Sequence, residues 1–118
     1  MTKFPDTPFG PISGDDMAAW CALLSDDNQI HLSREAAEAA GFGPNRVNPG
    51  PANLAYLLSA AMEADPEANV TRIEARFLGN VLEDDDLTAR SDGDTATLTR
   101  AGEATPVLTA TFRFGDDT

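Results

Sequence analysis

The pattern of hydrophobic and polar positions changes its period near residue 69. Before that point, apolar residues recur at helical spacing, and Met17, Trp20, Cys21 and Leu24 form one stripe of about three turns. After it, apolar and polar residues alternate, as in residues 71–77, which is typical of β-strands with one solvated face. Helices followed by a run of antiparallel strands predict an α+β domain.

Three helices are predicted in the first part of the chain. Ser13 is placed to cap the first, and Ser33 to cap a short second helix that runs to Ala40 and ends at Gly41. The third covers residues 51–64, with a proline in its first turn, and is apolar on nearly every side. A helix of this kind is normally buried, so we expect it to be the core helix.

Four strands are predicted after the core helix, at residues 71–77, 87–91, 95–100 and 107–114. Turn-forming residues join the last three into hairpins. Residues 9–12 leave room for a short first strand. We expect one domain over residues 1–118, with residues 1–8 as an extended arm and 115–118 as an acidic tail.

Charge and composition narrow the function classes. Twenty acidic against eight basic residues give a formal net charge of −12, which disfavours nucleic-acid binding because phosphates would be repelled. The acidic run at residues 84–86 is expected to be a solvated turn. A single cysteine, Cys21, cannot form an internal disulfide and is expected to be a buried thiol. No stretch approaches the roughly 18 consecutive apolar residues of a membrane helix, and no signal peptide is evident, so a cytoplasmic location is expected.

The candidate chemistry lies between the first two predicted helices. Asp26, Asn28 and His31 form a D-x-N-x-x-H run that contains the only histidine of the chain. A carboxylate and an imidazole that converge on one small volume can share the proton transfers of a water molecule. A metal at this run would need ligands that the sequence does not supply nearby.

This run resembles the signature of the MaoC-like, or R-specific enoyl-CoA hydratase, family. The resemblance continues through residues 12–20, 34–42, 47–50 and 77–87. It implies a hot-dog fold, in which an antiparallel sheet wraps around a central apolar helix. It also implies reversible hydration of trans-2-enoyl thioesters to (R)-3-hydroxyacyl thioesters in fatty acid metabolism, with coenzyme A or acyl carrier protein as the carrier.

The resemblance implies roles for individual residues. Asp26 and His31 would hold one catalytic water, and Asn28 would orient the water or the loop. At the start of the core helix, the amide of Gly50 would polarise the thioester oxygen. Arg46 is a candidate contact for the phosphates of coenzyme A, and Tyr56 is a candidate for the wall of the acyl site.

The resemblance implies no metal and no bound cofactor, and it implies a homodimer or heterodimer of hot-dog domains. Two alternatives stay open. One is a hot-dog thioesterase, in which a carboxylate would direct water to the carbonyl carbon. The other is a noncatalytic subunit that binds an acyl group or supports a catalytic partner. It is favoured by the turn Asn48-Pro49-Gly50, one residue longer than the family's His-Gly turn, and by the short N-terminal segment.

Overall fold

A five-stranded antiparallel sheet packs against one long helix in the computed structural model, which describes residues 3–115. The strands follow the order β1-β3-β4-β5-β2 across the sheet, so β1 and β2 are its edges. The helices are α1 (Gly14–Leu24), α2 (Arg34–Ala39) and α3 (Gly50–Ala64), and the strands are β1 (Thr7–Phe9), β2 (Val70–Phe77), β3 (Leu87–Asp92), β4 (Thr95–Arg100) and β5 (Leu108–Phe114). The predicted α+β class and the order of the elements are confirmed.

The core lies between α3 and the inner face of β3, β4 and β5. Leu57 is fully buried in the middle of α3. Small residues line the interface between this helix and the sheet. Ala89 of β3 and Ala96 of β4 belong to the core on the sheet side, and Ala60 belongs to it on the helix side. Small side chains on both surfaces let a helix approach a sheet closely, so the predicted core helix is confirmed.

Buried and exposed residues alternate along the inner strands, but this alternation is lost in the edge strand β2. Leu108, Ala110 and Phe112 of β5 are buried while the residues between them are more exposed. In β2, by contrast, Ala75 and Phe77 are exposed although they were expected on a buried face. Strand β2 has a neighbour on one side only, and within residues 3–115 Val70 and Ile73 pack partly against the core whereas Ala75 and Phe77 do not.

The N-terminal segment joins the sheet earlier than expected. β1 begins at Thr7 and pairs with β3, and Phe4 is buried with its N–H donating to Ser91 Oγ at 2.9 Å. The predicted acidic tail lies, apart from Gly115, outside the described residues.

The predicted helix caps are confirmed. Ser13 accepts from the Asp16 N–H at 3.1 Å, and Ser33 accepts from the Ala36 N–H at 3.1 Å. Helix α3 begins at Gly50, one residue before its predicted start. Within residues 3–115, no helix has the length and apolar character that a membrane crossing requires.

Candidate active site

The C-terminus of α1 sets the position of Asp26. Ser25 adopts the left-handed conformation with φ 53°, and its N–H donates to the Ala22 carbonyl. The Asp26 N–H donates to the Cys21 carbonyl at 2.9 Å. This pair of bonds is a Schellman motif, which ends the helix and turns the chain sharply. Asp26 is therefore held by backbone bonds immediately after a helix.

Asn28 shapes the loop that leads to His31. Its N–H donates to Asp26 Oδ1 at 3.0 Å, and its own Oδ1 accepts from the Ile30 N–H at 3.2 Å. The second bond caps a single 3₁₀ turn, Gln29–His31, within the segment that was expected to be a loop. Since Asp26 Oδ1 is occupied by the loop, the other carboxylate oxygen is left to face the imidazole.

Asp26 and His31 converge as the sequence predicts. Asp26 Oδ2 lies 3.4 Å from His31 Nε2, and the other ring nitrogen, Nδ1, lies 2.7 Å from the Val47 carbonyl oxygen. A carbonyl can only accept, so Nδ1 carries the proton of the neutral ring and Nε2 presents a lone pair. In the neutral ring, Nε2 is thus a hydrogen-bond acceptor that lies beside the carboxylate oxygen of Asp26. One water that donates to both would be held with its own lone pairs free.

The segment 46–48 fixes the orientation of the imidazole. The Val47 N–H donates to the Ile30 carbonyl at 2.9 Å while its carbonyl meets the His31 ring. On the opposite side, the Asn48 N–H donates to the Val81 carbonyl at 2.7 Å. His31 is 9% exposed, so its imidazole is almost completely buried.

The N-terminus of α3 offers one backbone donor. The first N–H groups of a helix have no partner within it. Here Pro51 has no N–H, and the N–H groups of Ala52 and Asn53 both donate to the Pro49 carbonyl, at 3.0 and 3.4 Å. The Gly50 N–H is the remaining donor of that turn. Its φ does not lie in the left-handed region, so glycine is not required there by the backbone.

A small polar cluster lies behind that helix start. Asn48 Nδ2 donates to Asn53 Oδ1 at 2.7 Å and lies 3.4 Å from the Tyr56 hydroxyl. Asn48 Oδ1 is buried without a partner among the described residues. The Tyr56 ring stacks on Phe9 with 5.1 Å between centroids, and burial raises the pKa of its phenol.

Tyr56 also lines a cavity of about 210 Å³ together with residues of α1. Three of them, Ala19, Trp20 and Leu23, are apolar, and Asp16 is the charged member. A second concavity, of about 440 Å³, runs along the end of α1 beside Asp26. Asp26 and Tyr56, both predicted site residues, therefore border two different surface depressions.

Arg46 is engaged in an ion-pair cluster that the sequence did not predict. Its guanidinium donates from Nε and Nη2 to Glu83 at 3.2 and 2.6 Å, and Arg34 donates to the same carboxylate at 3.0 and 2.7 Å. Hydrogen bonds from Arg34 and then from Arg46 lower the pKa of Glu83 far below its usual range. Glu83 is 4% exposed and is ionised throughout the neutral range.

The prediction that residues 84–86 form a solvated turn is wrong for Asp85. Asp84 and Asp86 are exposed, but the Asp85 carboxylate accepts from the Leu82 N–H and from Arg100, each at 2.7 Å. One acidic residue of the run therefore holds the turn together. Sequence composition alone gave no signal that would separate it from its neighbours.

Cys21 is buried beneath the site, as predicted. Burial raises the pKa of its thiol, and the nearby Asp26 carboxylate adds to this effect. The thiol therefore stays protonated at neutral pH and is a poor nucleophile. Between Lys3 and Gly115, no group of three or more His, Cys, Asp or Glu side chains is placed to hold a metal ion.

Comparisons with known proteins agree on one family. The family model described as "MaoC like domain" matches residues 3–109. The (R)-hydratase from A. caviae involved in PHA biosynthesis is similar with a TM-score of 0.78 at 17% identity, covering 95% of this chain and 94% of that chain. The R-hydratase PhaJ1 from Pseudomonas aeruginosa has a TM-score of 0.79 at 16% identity, with 97% and 81% covered.

A dehydratase complex is also similar. A chain of HadBC, a 3R-hydroxyacyl-ACP dehydratase complex from Mycobacterium tuberculosis, has a TM-score of 0.76 at 16% identity, with 96% of this chain and 92% of that chain covered. No curated protein matches the sequence.

The antiparallel sheet packed on a central apolar helix is thus a hot-dog fold, shared with hydratases and dehydratases. Since the family match covers most of its length, the chain belongs to the MaoC-like dehydratase family.

Proposed function

We propose that the protein catalyses the reversible hydration of trans-2-enoyl thioesters to (R)-3-hydroxyacyl thioesters. The observation that carries the proposal is the Asp26–His31 pair, with 3.4 Å between Oδ2 and Nε2 and with Nδ1 already bonded to a carbonyl. Both facing atoms are acceptors, so a shared water would be oriented by its two protons.

The proposed reaction needs one water and no other reactant. The water oxygen forms a bond to the β-carbon of the enoyl group while one of its protons passes to the pair. That proton is then delivered to the α-carbon on the same face, and the pair returns to its starting state. Dehydration is the reverse. Asn28 contributes by holding Asp26 Oδ1, which leaves Oδ2 for the water.

The negative charge that develops on the thioester oxygen needs a donor. We assign this role to the Gly50 N–H, which is the unused donor of the first turn of α3. A helix N-terminus adds a favourable dipole for such a charge. The longer turn at residues 48–50 therefore still presents one amide.

The residues proposed to bind the carrier and the acyl chain line two concavities other than the one beside Asp26. Tyr56 and the apolar cavity residues of α1 are the proposed acyl contacts. Arg46 and Arg34 border a concavity of about 380 Å³ and are the proposed contacts for the phosphates of coenzyme A or for acidic groups on a carrier protein. Each guanidinium uses two N–H groups on Glu83 and has others free.

We further propose that a second hot-dog domain, as a homodimer or heterodimer, covers the open edge of the sheet. Among residues 3–115, no strand pairs with the outer side of β2, and Phe77 and the following Leu78 are 52% and 51% exposed. Phe77 also lies next to Gly50, since a Cβ at Gly50 would be 3.4 Å from its ring. The partner would thus contact the start of α3. Sedimentation velocity of the protein alone should show a dimer if it is a homodimer. A monomer at the concentrations of the activity assay would reject the homodimer and leave the heterodimer with a second hot-dog domain.

Hydration of crotonyl-CoA and of longer trans-2-enoyl-CoA esters, followed by loss of enoyl absorbance, tests the activity. We expect turnover by the unmodified protein and loss of turnover in Asp26→Asn. The neighbouring Asp27→Asn is the matched control, because Asp27 is exposed and the carboxylate that lies beside His31 is that of Asp26. Release of free thiol would indicate a thioesterase instead. Binding without either reaction would indicate a noncatalytic subunit.

A further inference from the structure

The Glu83 carboxylate does not belong to the proposed catalytic pair. It links its own loop to two other segments of the chain. Arg34 reaches it from the start of α2, Arg46 reaches it from the segment before α3, and Glu83 itself belongs to the loop before β3. It is 4% exposed, whereas the Arg34 side chain is 61% exposed and the Arg46 side chain 23% exposed. A buried carboxylate therefore holds two cations that approach it from the surface.

The contacts of Glu83 with Arg46 involve the backbone as well as the side chain. The Glu83 N–H donates to the Arg46 carbonyl at 2.8 Å, and the Arg46 N–H donates to Glu83 Oε1 at 3.3 Å. The Arg46 guanidinium also packs directly over Gly14, where an added Cβ would collide with it. The position of Arg46 is thus fixed at its backbone, along its side chain and at its tip.

The next residue along the chain is the one that holds the imidazole. The Val47 carbonyl accepts from His31 Nδ1 at 2.7 Å, and Val47 pairs with Leu82, the residue before Glu83. A shift of Arg46 would move this carbonyl, and with it the group that decides which ring nitrogen carries the proton. A continuous series of bonds thus leads from Glu83 to His31. Hydrogen bonds join Glu83 to Arg46, a peptide bond joins Arg46 to Val47, and a hydrogen bond joins Val47 to His31.

We propose that Glu83 is a positioning residue: by clamping Arg46 and Arg34 it fixes the Val47 carbonyl, which holds His31 in the tautomer and orientation that present Nε2 to Asp26. Its effect on turnover rests on the proposed hydratase function, whereas its effect on the imidazole does not. The two can be measured separately.

Nuclear magnetic resonance of protein labelled with ¹⁵N-histidine tests the proposal directly, because His31 is the only histidine and its ring signals need no assignment. The unmodified protein should show the Nδ1–H tautomer with a slowly exchanging ring proton. In Glu83→Gln, the two ring nitrogens should shift toward averaged values and the ring proton should exchange faster. If the protein is a hydratase, kcat should fall about 10-fold to 100-fold.

Two further variants separate positioning from general destabilisation. Leu98→Ala opens a cavity in β4 away from the segment 46–48, and it should lower the melting temperature without changing the tautomer. Glu83→Asp keeps the charge on a shorter side chain and should give an intermediate ring signal. It is the variant to use if Glu83→Gln does not fold.

An unchanged tautomer in a folded Glu83 variant would overturn the proposal, and so would failure of both Glu83 variants to fold, since the residue would then be structural only. Loss of turnover with an unchanged ring signal would also reject it. A changed ring signal in a protein without hydratase activity would support the positioning role and reject the proposed function.

Discussion

Glu83→Gln is expected to destabilise the protein most at neutral pH. The carboxylate is buried and accepts hydrogen bonds from Arg34 and Arg46, which hold its pKa far below the ordinary value of 4.5. Removing one partner of a buried ion pair typically costs about 3–5 kcal/mol. Since Arg34 is more than half exposed, water screens part of this interaction, and we expect about 2–3 kcal/mol at pH 7.

The pH dependence of this difference follows from the direction of the pKa shift. A carboxyl with a lowered folded-state pKa stabilises the protein fully above its unfolded-state pKa and loses that contribution as pH falls toward the folded-state value. With 4.5 as the ordinary value, the loss begins below about pH 5 and reaches about 1.4 kcal/mol near pH 3.5. The difference between the two proteins should therefore narrow by about that amount.

Urea unfolding measured by the fluorescence of Trp20, the only tryptophan, gives the free energy of unfolding at each pH. Glu74→Gln is the matched control, because Glu74 pairs with Arg72 on the surface and should change stability by less than about 0.5 kcal/mol. A difference between wild type and Glu83→Gln that stays constant from pH 7 to acid would refute the reasoning, since it would mean that the charge of Glu83 contributes nothing.

Three further substitutions test the fold and the site. Leu57→Asp should prevent folding, because an unpaired carboxylate at a fully buried position costs several kcal/mol. The control Leu23→Asp changes an exposed position and should give a folded protein that melts cooperatively. A folded Leu57→Asp protein would place α3 at the surface. Gly50→Ala should keep the melting temperature, because the half-exposed Phe77 ring can move, yet lower turnover about 10-fold or more, because the added Cβ obstructs the approach of the thioester oxygen to the Gly50 N–H; retained turnover would mean that the oxygen does not approach this amide. Ser25→Gly should raise the free energy of unfolding by about 0.5–1 kcal/mol, because Ser25 is left-handed; a loss of stability in urea unfolding would contradict this.

Local signals in the sequence predicted most of the fold. The serine caps at residues 13 and 33 and the apolar helix of residues 51–64 are features of neighbouring residues, and the structure confirms them. The exposed face of β2 could not be predicted in this way. Its alternation is that of a half-buried strand, but burial depends on which elements lie against it, and an edge strand has fewer of them.

The part of the candidate site that lies within one short segment could be predicted from the sequence. Asp26 and His31 are five positions apart, and a helix end followed by a 3₁₀ turn brings them together. Glu83 was missed because its partners are 37 and 49 positions away, and because an acid next to three aspartates has the composition of a solvated turn. The buried Asn53 was visible as a polar residue in an apolar helix, but only the structure pairs it with Asn48.

The central claim is that Asp26 and His31 act on one water, and a double-mutant cycle of crotonyl-CoA hydration tests it most directly. Asp26→Asn and His31→Ala should each lower kcat/KM by about 10²-fold to 10⁴-fold, with folding checked by circular dichroism. The double mutant should be no worse than the poorer single mutant, because either change already removes the shared water. Losses that multiply in the double mutant would contradict the claim and would show two groups acting independently.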